Sequence, residues 1–433
     1  MTEITHQKSD RASVFSWCLY DWGNSAFATV IITFIFSVYF GRGIVGDETL
    51  GTAQWGMAIA ASGLIIAVIS PFLGAVADHY GARKPWVLLF TLLCAVPTAL
   101  LYFGVPHDSP GGGVSNMILV MVLIVLANTA FEIALVFNNA MLPNLSRPEM
   151  LGRISGWAWG MGYAGGLVCL VLSLIFLVGM GDRPPLLGLP QVNSENIRAV
   201  GPLVAIWIVI FTIPMMLFTR DVPRSTMSLG RAMGQGLVQL KDTFTHLRRQ
   251  GNMMRFLLAS AIYRDGLNTL FAMGGLYAAG TFGMSFQEIL IFAIGLNIFS
   301  GIGAAGFAYM DDLRGSKQTV VLSLVGLLFS GIAILLVQDK TLFMALAMGM
   351  GLFIGPVQSA SRTMAARLSP PEQVGQTFGI YALTGRVASF FGPAVFAWAV
   401  LEFSSQRAGM ATILLFWLAG LVLLLSVKEQ EPA

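Results

Sequence analysis

Gly74-Ala-Val-Ala-Asp78-His79-Tyr80-Gly81-Ala-Arg83-Lys84 is a short polar break between two long apolar stretches. A shorter copy, Asp312-Leu-Arg-Gly315-Ser-Lys317, also separates two apolar stretches. Two more segments recur in the same order. Asp21-Trp-Gly-Asn24-Ser25 matches Asp265-Gly-Leu-Asn268-Thr269. Leu145-Ser146-Arg-Pro148-Glu149-Met-Leu151-Gly152 matches Leu368-Ser369-Pro-Pro371-Glu372-Gln-Val374-Gly375. Three matches in one order, at offsets of 244, 234 and 223, mark an internal duplication. Both members of each pair fall on the same membrane side, so the duplication is parallel, with its axis along the membrane normal.

The duplicated unit is a set of membrane helices. The 433 residues are 56% hydrophobic and only 11% charged, whereas a soluble domain carries roughly 25% charged residues. So few charges cannot cover a water-facing surface of this size. A water-soluble enzyme, a nucleic-acid-binding protein and a disordered scaffold are excluded. A spanning helix needs about 20 apolar residues, and twelve stretches qualify. They are 14–40, 53–77, 85–104, 114–138, 154–179, 200–219, 254–281, 287–310, 318–337, 341–364, 375–400 and 408–427. The first is too long for a signal-peptide core and is expected to persist as a span. The expected fold is therefore an all-α membrane protein of twelve spans in two six-helix repeats.

Charge orients them. Of the 25 Lys and Arg, 18 fall on one side and five on the other (Arg42, Arg183, Arg198, Lys340, Arg407), while Arg264 and Arg386 lie within stretches. The positive-inside rule then places both termini in the cytoplasm. The halves divide as 1–219 and 254–433, joined by a cytoplasmic linker at 220–253. Within it Leu229, Met233, Leu237, Leu240, Phe244 and Leu247 recur at helical spacing, with Arg231, Lys241, Arg248 and Arg249 between them. That pattern predicts an amphipathic helix on the membrane surface. Cys18, Cys94 and Cys169 are dispersed in apolar stretches and form neither a metal motif nor a disulfide framework.

A charge near the bilayer centre costs roughly 2.5–3.5 kcal/mol on insertion scales, so it persists when paired or when facing a wet cavity. Asp21, Glu132, Arg264, Asp265 and Arg386 fall at such depths. Asp21, Asn24 and Ser25 share one helix face at i, i+3, i+4, as do Asp265, Asn268 and Thr269. Gln358 and Arg362 stack at i, i+4. Arg264 and Asp265 point about 100° apart, so Arg264 is expected to reach another helix, with Glu132 the candidate. Arg386 is expected to pair with Asp265 or to bind a substrate carboxylate. The alternative for all of these charges is structural: paired groups that fix helix packing. Gly160-x-Gly162-x-x-Gly165 mimics a dinucleotide fingerprint, but it lies in an apolar span with no strand before it. No phosphate-binding loop is present, and neither cofactor nor metal is expected.

The Gly74–Lys84 break resembles the loop motif of the major facilitator superfamily, with His79 where a basic residue is usual. Four segments, Tyr20–Phe27, Gly162-Tyr-Ala-Gly165-Gly166, Tyr263-Arg264-Asp265-Gly266 and Gln358-Ser-Ala-Ser-Arg362, resemble its vacuole effluxer-like family, the branch related to the autophagic amino-acid effluxer. The resemblance implies alternating-access transport through a cavity lined by the first, fourth, seventh and tenth spans. It also implies a cytoplasmic gate in which Asp78 accepts from amides near Val374 to Thr377. Gly81, Arg83 and Lys84 support that gate, and Asp312, Gly315 and Lys317 repeat it. The solute is expected to be small and polar or zwitterionic, with amino acids and export favoured and protons as the coupling ion. Lipid and solute are the expected partners, the chain is expected to be a monomer, and a bacterial inner membrane is the expected location. A membrane assembly factor or sensor that no longer transports is the competing reading.

Overall fold

The computed structural model describes residues 10–179, 183–246 and 251–428. Lys8, Leu247, Arg248 and Arg249 lie outside them. In lipid every backbone amide needs a partner within the protein, which favours helices over open sheet. The spanning helices run Arg11–Val45 (helix 1), Glu48–Tyr80 (2), Lys84–Phe103 (3), Val114–Leu145 (4), Pro148–Val178 (5), Val200–Phe218 (6), Gly251–Phe282 (7), Phe286–Arg314 (8), Ser316–Leu336 (9), Lys340–Leu368 (10), Pro371–Phe403 (11) and Gln406–Leu425 (12). Among the described residues, eleven are long and apolar enough to cross a membrane. Helix 7 falls short in apolar character because it carries Arg255, Arg264, Asp265 and Asn268.

Local chemistry sets the helix starts. Asp10, Asp47 and Asp339 accept amides of the first turns of helices 1, 2 and 10, and Ser285 with Glu288 forms a capping box on helix 8. Such caps contribute about 0.5–2 kcal/mol each. Helix 1 widens into π-helical turns at Phe27–Phe34 and Phe40–Val45. Helix 11 breaks between Ala388 and Phe391.

Two packed seams join the repeats. Helix 2 lies on helix 11, and helix 5 lies on helix 8. Exchanging the two halves converts one seam into the other. Small residues permit the approach: a Cβ on Gly375 would stand 2.6 Å from the Gly74 carbonyl oxygen, and one on Gly156 would stand 2.5 Å from that of Ala304. Close backbone packing of this kind is how membrane helices associate where lipid removes the hydrophobic drive.

The linker forms a helix at Leu229–His246, packed along helix 2. Its small residues face the protein, with Ala232 buried and Gly236 against Val76. Leu229, Met233 and Leu237 stay exposed.

Candidate transport pathway

Asp21 sits ten residues into helix 1, about 15 Å from its start at about 1.5 Å per residue. It is buried. Asn138 Nδ2 donates to its Oδ1 at 3.1 Å, and Arg362 Nη1 of helix 10 donates to its Oδ2 at 2.9 Å. Arg362 uses all three of its guanidinium nitrogens. It also donates to Asn139 Oδ1 at 3.3 Å, to Ser155 Oγ at 2.9 Å and to the Ser155 carbonyl at 2.7 Å. Its guanidinium centre stands 5.0 Å from the Trp17 ring centre and 5.7 Å from that of Trp159. A buried pair repays desolvation only when it is well hydrogen-bonded, and here every guanidinium nitrogen and both carboxylate oxygens have a partner. One turn earlier on helix 10, Gln358 accepts from the Tyr163 hydroxyl. Asn24 is buried, and Ser25 turns toward helix 5, where a Cβ on Gly162 would stand 2.7 Å from its Oγ. The stripe on helix 1 therefore divides: Asp21 faces the second half, while Ser25 faces its own.

Glu132 of helix 4 lies thirteen residues from the end of that helix at Leu145, about 20 Å away. It accepts from Arg386 of helix 11, and the two side chains are 22% and 24% exposed. Two expected pairings are thus replaced. Arg264 does not reach Glu132. It donates to the Tyr381 carbonyl at 3.1 Å and lies 4.0 Å from that ring's centre. Arg386 does not reach Asp265. The rotation of helix 7 turns Asp265 instead toward the break in helix 11, where Oδ2 accepts from the Gly392 amide at 2.8 Å. Oδ1 of Asp265 is buried and accepts no hydrogen bond among the described residues. Asn268 is exposed, so it does not share the buried setting of Asp265 although the two lie at i, i+3.

At one end of the seams the two loop motifs make matching contacts. Asp78 accepts from the amides of Gly375 at 2.7 Å and Gln376 at 2.8 Å, at the start of the Val374–Ala388 segment of helix 11. Asp312 accepts from the amide of Gly152 at 2.8 Å, near the start of helix 5, and from Arg153 Nε at 2.5 Å. A carboxylate at a helix N-terminus satisfies orphan amides and complements the dipole. Gly81 and Gly315 take φ of +89° and +91°, which a side chain would strain. Arg83 donates to Asp78 at 3.4 Å and to the Ala140 carbonyl at 2.7 Å. Lys84 Nζ donates to the Thr219 carbonyl at 2.8 Å, and Lys317 Nζ to that of Leu425 at 2.9 Å.

Several participants escaped the sequence reading. Asp221, after helix 6, caps helix 3 by accepting from the amides of Arg83 and Lys84 at 2.9 and 2.8 Å. Asn138, Ser155 and Arg153 complete the contacts above. The repeat already flagged Gly152 and Gly375 as equivalent, and that equivalence was the available signal for an Asp312 contact.

A family model described as vacuole effluxer Atg22 like matches residues 52–432. The uncharacterised MFS-type transporter YxiO of Bacillus subtilis (strain 168) is 25% identical over 427 residues, covering 96% of this chain and 94% of that one. Autophagy-related protein 22 of Coccidioides immitis (strain RS) is 24% identical over 430 residues, covering 81% and 68%. Among solved structures, the transporter FucP in its outward conformation superposes with a TM-score of 0.73 at 10% identity, over 97% of this chain and 99% of that one. The proton:xylose symporter XylE gives 0.71 at 15% identity, over 96% of each. At such identities the superpositions establish the major facilitator fold. The chain belongs to the vacuole effluxer Atg22-like family.

Proposed function

We propose that this protein is a secondary active transporter that moves a small zwitterionic solute, with amino acids the leading class, by alternating access. One observation carries the reading. Glu132 and Arg386 meet across the two halves at mid-depth while staying partly exposed. The ammonium and carboxylate of a zwitterion can each replace one partner of such a pair, so solute binding and separation of the halves become a single exchange. Asp21 with Arg362, and Asn24, Ser25, Gln358 and Asn268, supply further polar groups along the helices that line the path in this fold. Asp265, with one oxygen that accepts no hydrogen bond among the described residues, is the group proposed to carry a coupling proton.

The moving bodies are 1–219 and 254–433, with 220–253 as the strap between them. Asp78 and Asp312, on the helix starts they cap, form the gate that holds the Lys- and Arg-rich side shut. The family description supports efflux. The charge bias supports cytoplasmic termini, and the bacterial relative supports a bacterial inner membrane. The protein is proposed to act as a monomer.

Proteoliposomes loaded with individual amino acids test this. Counterflow of at least one labelled amino acid, accelerated by a pH gradient, is expected. Absence of counterflow for every amino acid and dipeptide tried would remove the assignment.

A further inference from the structure

A second concave surface lies outside the pathway. It is a groove of about 950 Å³ between helices 1, 5 and 8, a size within the range of ligand sites, roughly 300–1,000 Å³. Arg11 is its single charged lining residue among those described. The rest of the wall is almost wholly apolar or aromatic, and Asn297 is the other strongly polar member. Met150 and Leu167, both on the lining, are seventeen residues apart along helix 5, about 25 Å at about 1.5 Å per residue. One leaflet of a bilayer, headgroups included, is about 20–22 Å deep. The groove thus runs the depth of a leaflet, with a cation at its membrane-surface end and apolar walls beyond.

We propose that this groove binds one anionic glycerophospholipid from the leaflet on which Arg11 sits. The phosphate would lie against Arg11 and the acyl chains along Phe15, Trp157, Ala164 and Ile302. Charge complementarity favours an anionic lipid over a neutral one. Arg11 is exposed, and the adjacent carboxylate, Asp10, is drawn to Arg220 at 3.6 Å. Arg11 also occupies the first turn of helix 1, where the dipole favours an anion beside it. Helices 1 and 5 belong to one repeat and helix 8 to the other, so a single lipid touches both halves beside the 5–8 seam. It therefore binds this arrangement of the halves better than one in which the seam has opened.

The full chain, purified in detergent, is examined by native mass spectrometry with phosphatidylglycerol or phosphatidylcholine of identical acyl chains. Retention of phosphatidylglycerol is expected to exceed that of phosphatidylcholine. Arg11→Gln should lower it about fivefold, equivalent to about 1 kcal/mol for one basic residue at a membrane surface. Ala164→Trp places bulk in the groove at an exposed position and should lower retention of both lipids, with unfolding temperature unchanged. Equal retention of the two lipids by the parent, or undiminished phosphatidylglycerol on Arg11→Gln, overturns the proposal. So do disulfide-linked dimers formed through Ile298→Cys, which would mean that a second copy of the chain covers the groove.

Discussion

Asp21 and Arg362 stand 341 residues apart in the chain and 2.9 Å apart across the two halves. Neither is tolerated alone at this depth. Removing one partner of a buried pair leaves a desolvated charge and costs about 3–5 kcal/mol. Arg362→Ala should therefore lower the unfolding temperature in detergent by several degrees. Asp21→Asn combined with Arg362→Gln, which leaves no bare charge, should recover most of it. Additive losses in the double variant would mean that the two residues do not act as a pair.

The proposed gate predicts a population shift. Each carboxylate accepts from two amides and a guanidinium, and hydrogen bonds to charged groups are worth about 1.5–3 kcal/mol. Asp78→Asn or Asp312→Asn should favour the state in which these contacts are broken. A cysteine replacing Asn139, which lies partly buried on helix 4, should then react faster with a thiol reagent. Unchanged labelling in both variants, with transport intact, would show that these contacts are not a gate.

The mid-depth pair should behave differently from the buried one. Glu132 and Arg386 are partly exposed, and exposed ion pairs contribute roughly 0–1 kcal/mol to stability. Glu132→Gln and Arg386→Ala should each leave unfolding nearly unchanged while lowering transport at least about tenfold, the equivalent of one lost contact of about 1.4 kcal/mol. Arg386→Lys retains the charge but loses the planar fork, so apparent substrate affinity should still fall. Wild-type transport by all three variants would take the pair out of the pathway.

Asp265→Asn separates structure from ionisation. The amide oxygen of Asn can still accept from Gly392, so the break in helix 11 should remain as it is. Uptake driven by a pH gradient should collapse, while counterflow without a gradient should continue. Loss of both together would indicate a packing role only.

The twelve helices and the repeat were legible because apolar length, loop charge and motif order are properties of the chain itself. Helix 7 was legible as a span from the apolar stretch 254–281 despite its polar residues, and the 18-to-5 charge bias agrees with the resulting even count. Pairing within the membrane was much less legible. A periodic pattern says which residues share a helix face but not which neighbour that face meets. Arg386 therefore holds the Glu132 carboxylate expected for Arg264, while Arg264 lies on Tyr381 and Asp265 on the Gly392 amide. Rotation of helix 7 by the roughly 100° between successive residues decides whether Arg264 or Asp265 faces Tyr381. Asp221 was out of reach for another reason: it lies 138 residues from the amide it caps, and no local pattern links them.

The two seams have a consequence for leakage. Helix 2 on helix 11 and helix 5 on helix 8 are closed by equivalent carboxylates, one on each seam at the same end. A thermal rupture of one leaves the other intact, and the halves stay hinged along it without parting. A continuous water path needs both to fail at once, so the free-energy costs of the two ruptures add and their probabilities multiply. Passive solute leak from liposomes should thus rise modestly in Asp78→Asn or Asp312→Asn and steeply when the two are combined. If the combined variant leaks no faster than the single ones, the seams do not fail independently.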